Sequence, residues 1–215
     1  MKIFLDTADA NAIRRASDTG LLDGVTTNPS KIAETGKRFT EVLEDICSFF
    51  SGPVSAEAVA YETDKIIAKA REICSIAPNI NIKVPPTPEG LKAAIQLERD
   101  HQIKVNVTML FSVDQAMMAM KTNAYIVSIV LSRLEKIGTN WIDLVKDTVA
   151  AKQHYGFKSL ILGGSLKTRG HVIESLKAGA DIVTIPEELF FLMFKHPLTD
   201  QGLVEFDEAW KKVKE

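Results

Sequence analysis

The sequence of 215 residues lacks a cysteine framework and an excess of charge of either sign. Its two cysteines, Cys47 and Cys74, do not form a CxxC pair, which argues against a disulfide scaffold. The formal net charge is −2, with no basic block and no long acidic tail. We therefore expect no nucleic acid and no membrane surface as a partner, and a reducing cytoplasm as the compartment.

Long apolar runs, metal-binding spacings and nucleotide-binding motifs are also missing. The first apolar run ends at Asp6 and is too short for a signal peptide, and Ser128 interrupts the run at residues 126–131, so we expect no membrane span. The four histidines show neither HxxxH nor HExxH spacing, so the sequence predicts no metal site. No GxGxxG segment and no P-loop motif follows the first predicted strand.

The most informative stretch is residues 79–90, where apolar residues alternate up to Lys83 and Pro85 then ends the strand. Thr87 is suited to cap the helix that follows, and Pro88 to its first position. Lys83 is therefore expected at the carboxyl end of a strand. A lysine that is buried among apolar neighbours loses affinity for its proton and can form a Schiff base with a carbonyl. The alternative is a solvated lysine without chemistry.

Strand and helix patterns alternate along the whole chain. Eight strands are predicted, each followed by a helix, at residues 2–5, within 21–29, and at 54–59, 79–84, 102–108, 125–130, 158–162 and 181–185. A ninth helix is predicted at about residues 200–214. Repeated βα units imply parallel strands, and this number of units favours a single (β/α)8 TIM barrel domain of residues 1–215 over an open doubly wound sheet.

Polar residues follow most of the predicted strands. In (β/α)8 barrels the carboxyl ends of the strands surround one cavity, so these residues are candidates for a common site. The candidates are Asp6, Asn28, Glu57, Lys83, Thr108, Ser128 with Arg133, and Ser165 with Lys167. One lysine, two carboxylates, an amide and several hydroxyls are suited to the chemistry of carbonyls and polyols.

Asp6 and Glu57 are the candidate acid and base groups. A Schiff-base aldolase needs a proton relay for imine formation and a base for the hydroxyl beside the bond that breaks. Two carboxylates in different surroundings can divide these tasks. Each also has a structural alternative, since Asp6 can cap the first helical turn and Glu57 can act as a salt-bridge partner.

A site for an anion is predicted after the seventh strand, at Gly163, Gly164, Ser165 and Lys167. Glycines allow backbone N–H groups to approach an anion, and the N-terminus of the following helix favours negative charge. Arg133 can add a bidentate contact. The same glycines are also typical of ordinary loops.

Five segments of the chain together form a specific pattern, at residues 5–8, 24–30, 55–57, 82–91 and 106–108. They resemble the small-subunit transaldolases, which group with the bacterial fructose-6-phosphate aldolases as class I aldolases on a (β/α)8 barrel. The resemblance extends over nearly the whole chain and is most specific at the run of residues 24–30 and at the lysine strand.

The resemblance implies a role for each catalytic candidate. Lys83 matches the Schiff-base lysine. Asp6 matches the acid and base that takes the proton of the C4 hydroxyl as the C3–C4 bond of the ketose breaks. Glu57 and Thr108 match the pair that holds a catalytic water.

The resemblance also implies substrate contacts and a function. Asn28 and Ser128 match contacts to the dihydroxyacetone hydroxyls, and Arg133 and Ser165 match phosphate-binding positions, with Lys167 in the same loop. The family transfers dihydroxyacetone from fructose 6-phosphate or sedoheptulose 7-phosphate to an aldose phosphate in the pentose phosphate pathway. It uses no metal or organic cofactor and forms homo-oligomers, pentamers or decamers.

Two departures from the family pattern, and one match, bear on the activity. Residues 129–132 replace the proline, aromatic, valine and glycine that commonly precede the arginine, so Val130 leaves the acceptor preference open. Lys167 stands where transaldolases carry arginine and the aldolase subgroup carries lysine, and Arg169 could compensate. Glu57 favours a transaldolase, since the aldolase subgroup has glutamine. We therefore predict a transaldolase, with a fructose-6-phosphate aldolase or a non-catalytic sugar-phosphate-binding barrel as alternatives.

The predicted C-terminal helix has an apolar stripe of Leu203, Phe206 and Trp210. This stripe can form an interface between subunits, or it can fold back on its own barrel.

Overall fold

The computed structural model describes residues 1–213, which contain a closed barrel of eight parallel strands. Each strand pairs with the next one in the chain, and β8 pairs with β1 to close the barrel. The predicted (β/α)8 TIM barrel is therefore confirmed. The strands are β1 (Lys2–Asp6), β2 (Gly24–Thr26), β3 (Val54–Glu57), β4 (Ile80–Val84), β5 (Val105–Leu110), β6 (Ile126–Val130), β7 (Leu160–Gly164) and β8 (Ile182–Ile185).

Eleven helices are present in residues 1–213, and among these no helix is long and apolar enough to cross a membrane. They are α1 (Ala10–Ser17), α2 (Pro29–Glu34), α3 (Phe39–Phe49), α4 (Thr63–Cys74), α5 (Pro88–Asp100), α6 (Val113–Met120), α7 (Leu131–Lys136), α8 (Trp141–Tyr155), α9 (Arg169–Lys177), α10 (Glu187–Leu192) and α11 (Pro197–Trp210).

The helices differ from the prediction at two places. The sequence pattern predicted nine helices and missed α2 and α7, because six residues make fewer than two turns and show no apolar periodicity. The last helix begins at Pro197 rather than near residue 200, since Pro197 is at its first turn and His196 caps it. The predicted end of this helix at residue 214 lies outside the described residues.

Side chains cap several helices, among them that of Thr87 as predicted. Asp9 accepts the backbone N–H of Asn11 at the start of α1, and Thr87 accepts that of Gly90 at the start of α5. Pro88 takes the first position of α5, where no intrahelical N–H bond is needed. These caps fix where the polypeptide turns from the barrel rim into the outer helices.

Within residues 1–213, apolar side chains form two separate clusters. The larger one fills the space between the strands and the helices. The smaller one lies inside the barrel, since its members alternate along the strands with the outward-facing ones. It consists of Phe4, Ile126, Leu162 and Ile182. Because side chains two positions further along each strand face the same side, this cluster is the floor beneath Asp6, Ser128, Gly164 and Thr184.

Carboxylates hold the strand starts at the opposite end of the barrel. Asp23 accepts the backbone N–H of Ile3 at 2.8 Å, and Asp181 accepts that of Ile161 at 2.7 Å. Glu98 bridges two strands. Its Oε1 accepts the backbone N–H of Val105, at the start of β5, and that of Tyr125, just before β6. Burial raises the pKa of Glu98, and the two N–H donors oppose this shift. These contacts leave the carboxyl ends of the strands free for a site.

The two cysteines lie in helices and are free thiols. Burial raises the pKa of Cys47 and of Cys74 to about 11. Both groups are therefore thiols at neutral pH, which makes them weak nucleophiles.

The turn after the lysine strand depends on a glycine. A Cβ atom built on Gly90 would overlap the carbonyl oxygen of Pro85. We expect Gly90→Ala to lower the free energy of unfolding by about 1–3 kcal/mol, because the backbone must shift to relieve the overlap. Urea unfolding followed by circular dichroism measures this change.

Gly202→Ala is the matched control, since a Cβ at Gly202 meets nothing within 4 Å. In a helix interior this change should leave stability unaltered or raise it by up to about 1 kcal/mol. Equal effects of the two substitutions would contradict the proposed role of the Gly90 contact.

Candidate active site

A cavity of about 510 Å³ opens at the carboxyl ends of the strands. The structure brings all the predicted site residues together in the wall of this one cavity. They are Asp6, Asn28, Glu57, Lys83, Thr108, Ser128, Arg133, Ser165 and Lys167. Residues up to 161 positions apart in the sequence thus meet because parallel strands end at the same rim.

Lys83 is buried in the wall of the cavity, with 9% of its surface exposed. Its Nζ donates to the carbonyl oxygen of Thr27 at 2.9 Å and lies 3.5 Å from Oε2 of Glu57. The alternative of a solvated lysine is therefore wrong. We predicted apolar neighbours for the amine, and this prediction is wrong in detail. The nearest partners of the amine are a carbonyl and a carboxylate.

Asp6 ends β1 with its carboxylate in the cavity. Its Oδ1 accepts the hydroxyl of Thr26 at 3.2 Å, and the oxygens of Thr26 and Thr184 are 2.7 Å apart. The alternative role of Asp6 as a helix cap is wrong, since Asp9 caps α1. Asp6 is therefore held by neighbouring strands and is directed towards the site.

Glu57 ends β3 and takes part in an ion pair with Lys83. The alternative prediction, that Glu57 is a salt-bridge partner, therefore agrees with the structure. The partner is Lys83, the candidate nucleophile. A carboxylate this close to an amine can exchange protons with it directly or through one water. The ion pair is therefore compatible with Glu57 acting as an acid and base as well as with its being a salt-bridge partner.

Thr108 lines the cavity from β5 and is buried. The next residue, Met109, has a left-handed backbone with φ of 63°, and the pairing of β5 with β6 shifts between Val107 and Leu110. Such irregularities commonly occur beside active sites, where they redirect side chains.

A row of buried polar side chains crosses the barrel at the level of the site. The hydroxyl of Ser128 donates to Oδ1 of Asn106 at 2.6 Å, and Nδ2 of Asn106 donates to Ser55 at 3.2 Å. Ser55 in turn donates to Oδ1 of Asn81 at 2.5 Å. Ser128 lies within β6, two residues before the strand ends at Val130.

Asn28 lines the cavity and also caps a helix. Its Oδ1 accepts the backbone N–H of Lys31 at 3.0 Å and so caps α2. This cap fixes the side chain at the mouth of the barrel.

The cationic end of the cavity is formed by α7 and the loop after β7. Arg133 lies on α7, while Ser165 and Lys167 follow β7. Arg169 is oriented differently, since its guanidinium binds the carbonyl oxygens of Leu192 and Lys195. Lys167 is therefore the residue of this loop that brings a cation to the cavity, and Arg169 holds the end of α10.

Comparison with known proteins identifies the family of the chain. The family model described as Transaldolase/Fructose-6-phosphate aldolase matches residues 3–215. The chain belongs to the transaldolase/fructose-6-phosphate aldolase family. The predicted family, and the prediction of an enzyme of this family, are confirmed.

Curated relatives match over almost their full length. The chain is 46% identical over 211 residues to "Probable transaldolase 2" of Listeria monocytogenes, which covers 98% of this chain and 96% of the relative. It is 45% identical over 213 residues to "Probable transaldolase" of Clostridium tetani, covering 99% of each chain. It is 44% identical over 214 residues to "Probable transaldolase" of Streptococcus agalactiae, covering 100% of this chain and 99% of the relative.

Sequence reasoning missed five polar residues of the cavity wall, which are Thr26, Ser30, Lys31, Asn106 and Thr184. Asn106 and Thr184 lie inside β5 and β8, Thr26 ends β2, and the other two residues lie at the start of α2. A usable signal was present, because Thr26 and Asn106 each precede a predicted site residue by two positions and so face the same side of the strand.

The departures from the family pattern at residues 129–132 lie at the site itself. Val130 lines the cavity, where the family commonly has an aromatic side chain. Ser132 replaces the common glycine, and its Oγ lies 2.6 Å from Oγ of Ser165. This hydrogen bond links α7 to the loop after β7.

Proposed function

We propose that this protein is a transaldolase that transfers a dihydroxyacetone unit between sugar phosphates through a Schiff base on Lys83. Family membership supports the general activity. The observation that carries the proposal is one cavity with a buried lysine amine and two carboxylates in its wall, and with Arg133 and Lys167 at its rim. This combination suits a phosphorylated ketose.

In the first proposed step, the neutral amine of Lys83 adds to the C2 carbonyl of fructose 6-phosphate or sedoheptulose 7-phosphate. The resulting carbinolamine is protonated on its hydroxyl, loses water and leaves a protonated imine. Glu57 lies 3.5 Å from Nζ of Lys83 and is placed to move these protons, with Thr108 helping to hold the water.

In the second step, the carboxylate of Asp6 takes the proton of the C4 hydroxyl. The electron pair of the C3–C4 bond moves into the imine, which produces an enamine and releases an aldose phosphate. The hydrogen bond from Thr26 orients the Asp6 carboxylate for this transfer. The protonated imine serves as the electron sink, so the proposed chemistry needs no metal or organic cofactor.

In the third step, the enamine carbon attacks the carbonyl carbon of the acceptor aldose phosphate. The new alkoxide receives the proton from Asp6, and the imine forms again. Water then hydrolyses the imine, which releases the product ketose and restores the amine of Lys83.

Substrate orientation follows from the charges around the cavity. We assign the phosphate to Arg133, Ser165 and Lys167, and the dihydroxyacetone hydroxyls to Asn28 and Ser128. Arginine offers a planar fork and lysine a point charge, so the pair can bind a phosphate from two sides. We further propose that the substrates are those of the pentose phosphate pathway and that the enzyme acts in the cytoplasm.

The nearest alternative is a fructose-6-phosphate aldolase, in which water protonates the enamine and free dihydroxyacetone leaves. Lys167 favours this alternative by resemblance to the aldolase subgroup, whereas Glu57 favours the transaldolase. The second alternative is a barrel that binds sugar phosphates without catalysis.

The Schiff base can be trapped directly. Borohydride reduction in the presence of fructose 6-phosphate, followed by peptide mass analysis, should yield an adduct at Lys83 because an imine is reduced to a stable amine. Lys83→Met should abolish the adduct and all detectable transfer. Lys31→Met is the control, since Lys31 also lines the cavity but should leave the adduct in place. No adduct at Lys83 in the folded wild-type protein would favour the non-catalytic barrel.

Dependence on an acceptor separates the two enzymatic functions. We expect cleavage of fructose 6-phosphate to need erythrose 4-phosphate, because the enamine is consumed by attack on the acceptor carbonyl. Coupled detection of glyceraldehyde 3-phosphate with and without the acceptor measures this. Sustained turnover without acceptor, together with free dihydroxyacetone, would identify an aldolase instead.

We also propose that the protein is a homo-oligomer, a pentamer or decamer, that uses α11 as an interface element. None of the residues of α11 is buried, and Leu203, Phe206 and Trp210 are more than half exposed. A stripe of this kind is unfavourable in contact with water and typical of a protein interface. The alternative of a helix folded back on its own barrel does not fit this exposure.

Light scattering coupled to size-exclusion chromatography tests this proposal. We expect a mass of five or ten protomers for the wild-type protein and a smaller mass for Phe206→Glu, because a charge in an apolar interface disfavours association. Glu205→Gln, on the same helix but outside the apolar stripe, should keep the wild-type mass. A monomeric wild-type protein would refute the assignment.

A further inference from the structure

Two cross-links join the elements that form the cationic end of the cavity. The first is the hydrogen bond between Ser132 of α7 and Ser165 after β7. The second passes through His171 of α9, which lies 3.2 Å from Glu135 of α7 and accepts the backbone N–H of Lys167 at 3.1 Å. The three proposed phosphate ligands therefore sit on segments that are tied to each other.

Both ring nitrogens of His171 are engaged. Nδ1 accepts the N–H of Lys167, so the proton of the neutral ring belongs on Nε2, which donates to Oε1 of Glu135. The ring also makes an edge contact with Trp141, at 5.8 Å between centroids. The side chain is only 14% exposed. His171 is thus fixed on three sides, although it does not line the cavity.

The loop that His171 holds has a strained start. Ser165 has a φ of 61°, a left-handed conformation that is unfavourable for a residue other than glycine. Such a conformation persists only where surrounding contacts enforce it. Ser132 holds the side chain of Ser165, and His171 holds the backbone two residues further along, at Lys167.

We propose that His171, oriented by Glu135, is a positioning residue for the phosphate end of the cavity. It acts through the backbone of Lys167, and it keeps the Lys167 and Ser165 side chains where a phosphate can meet Arg133. This inference rests on the proposed function, since it assumes that the phosphate of the substrate binds at this end. It predicts an effect on the binding of phosphate and no effect on the chemistry at Lys83.

A purely structural role of His171 makes a different prediction. If the ring only packs against Trp141, phenylalanine should replace it without loss. If the hydrogen bond to the Lys167 N–H matters, phenylalanine should fail and asparagine should succeed, because the asparagine oxygen can take the place of Nδ1 as an acceptor.

The experiment compares KM and kcat for the phosphorylated and unphosphorylated ketoses. His171→Phe should raise KM for fructose 6-phosphate about five- to tenfold and leave kcat within about twofold, since one hydrogen bond that holds the loop is lost. His171→Asn should restore KM to within about twofold of the wild type. With fructose, which has no phosphate, kcat/KM should be unchanged in every variant. An equal loss with both sugars would overturn the inference.

A second variant covers the case in which His171→Phe does not fold. Glu135→Leu removes the partner of Nε2 on a residue that is half exposed, so it should fold and should raise KM for fructose 6-phosphate in the same direction. His154→Ala, an exposed histidine of α8, is the matched control and should change neither parameter. A wild-type KM in Glu135→Leu would overturn the role of Glu135.

Binding of inorganic phosphate, measured by calorimetry, separates failure of the inference from failure of the proposed function. Weaker phosphate binding in His171→Phe supports the inference even if the wild-type protein shows no adduct at Lys83, in which case the proposed function is wrong. Active wild-type enzyme with unchanged phosphate affinity in His171→Phe refutes the inference alone. A wild-type protein that does not bind phosphate also refutes it.

Discussion

The contact between the buried amine of Lys83, the carboxylate of Glu57 and the carbonyl of Thr27 is the interaction on which the site depends. An amine that leaves water needs partners to compensate for its lost hydration, and those partners must not be mobile. The barrel supplies them from three neighbouring strand ends, β2, β3 and β4. The interior is therefore divided into an apolar floor around Phe4 and a polar layer above it. A fully apolar interior would pack well but would leave the amine without partners.

Much of this arrangement follows from sequence alone because a parallel barrel converts chain order into spatial proximity. Once the alternating βα pattern predicts eight parallel strands, their carboxyl ends must meet, whatever the sequence separation. Asp6 and Lys167, which are 161 positions apart in the sequence, can thus be assigned to one cavity from the sequence alone. The lysine strand could be predicted from neighbouring residues, since prolines and a capping threonine mark where β4 ends and α5 begins.

Other features depend on distances across strands, which no local pattern encodes. Strand alternation can place Asn106 on the cavity side, but its bonds to Ser55 and Ser128 require the register of three strands. The orientation of Arg169 depends on the end of α10, which is distant in sequence. The short helices α2 and α7 depend on the apolar side chains that they bury in the core, because six residues form too few internal hydrogen bonds to be stable alone.

The row from Ser128 through Asn106 and Ser55 to Asn81 has a single direction of donation. A serine hydroxyl has one proton, and Ser128 gives that proton to Asn106. Towards the cavity Ser128 therefore presents lone pairs alone. A bound molecule can meet it with a hydroxyl that donates, but not with a carbonyl oxygen that needs a donor. The hydrogen bonds inside the barrel thus make Ser128 an acceptor towards the cavity. The contact at Ser128 therefore favours the hydroxyl of an alcohol over the oxygen of a ketone.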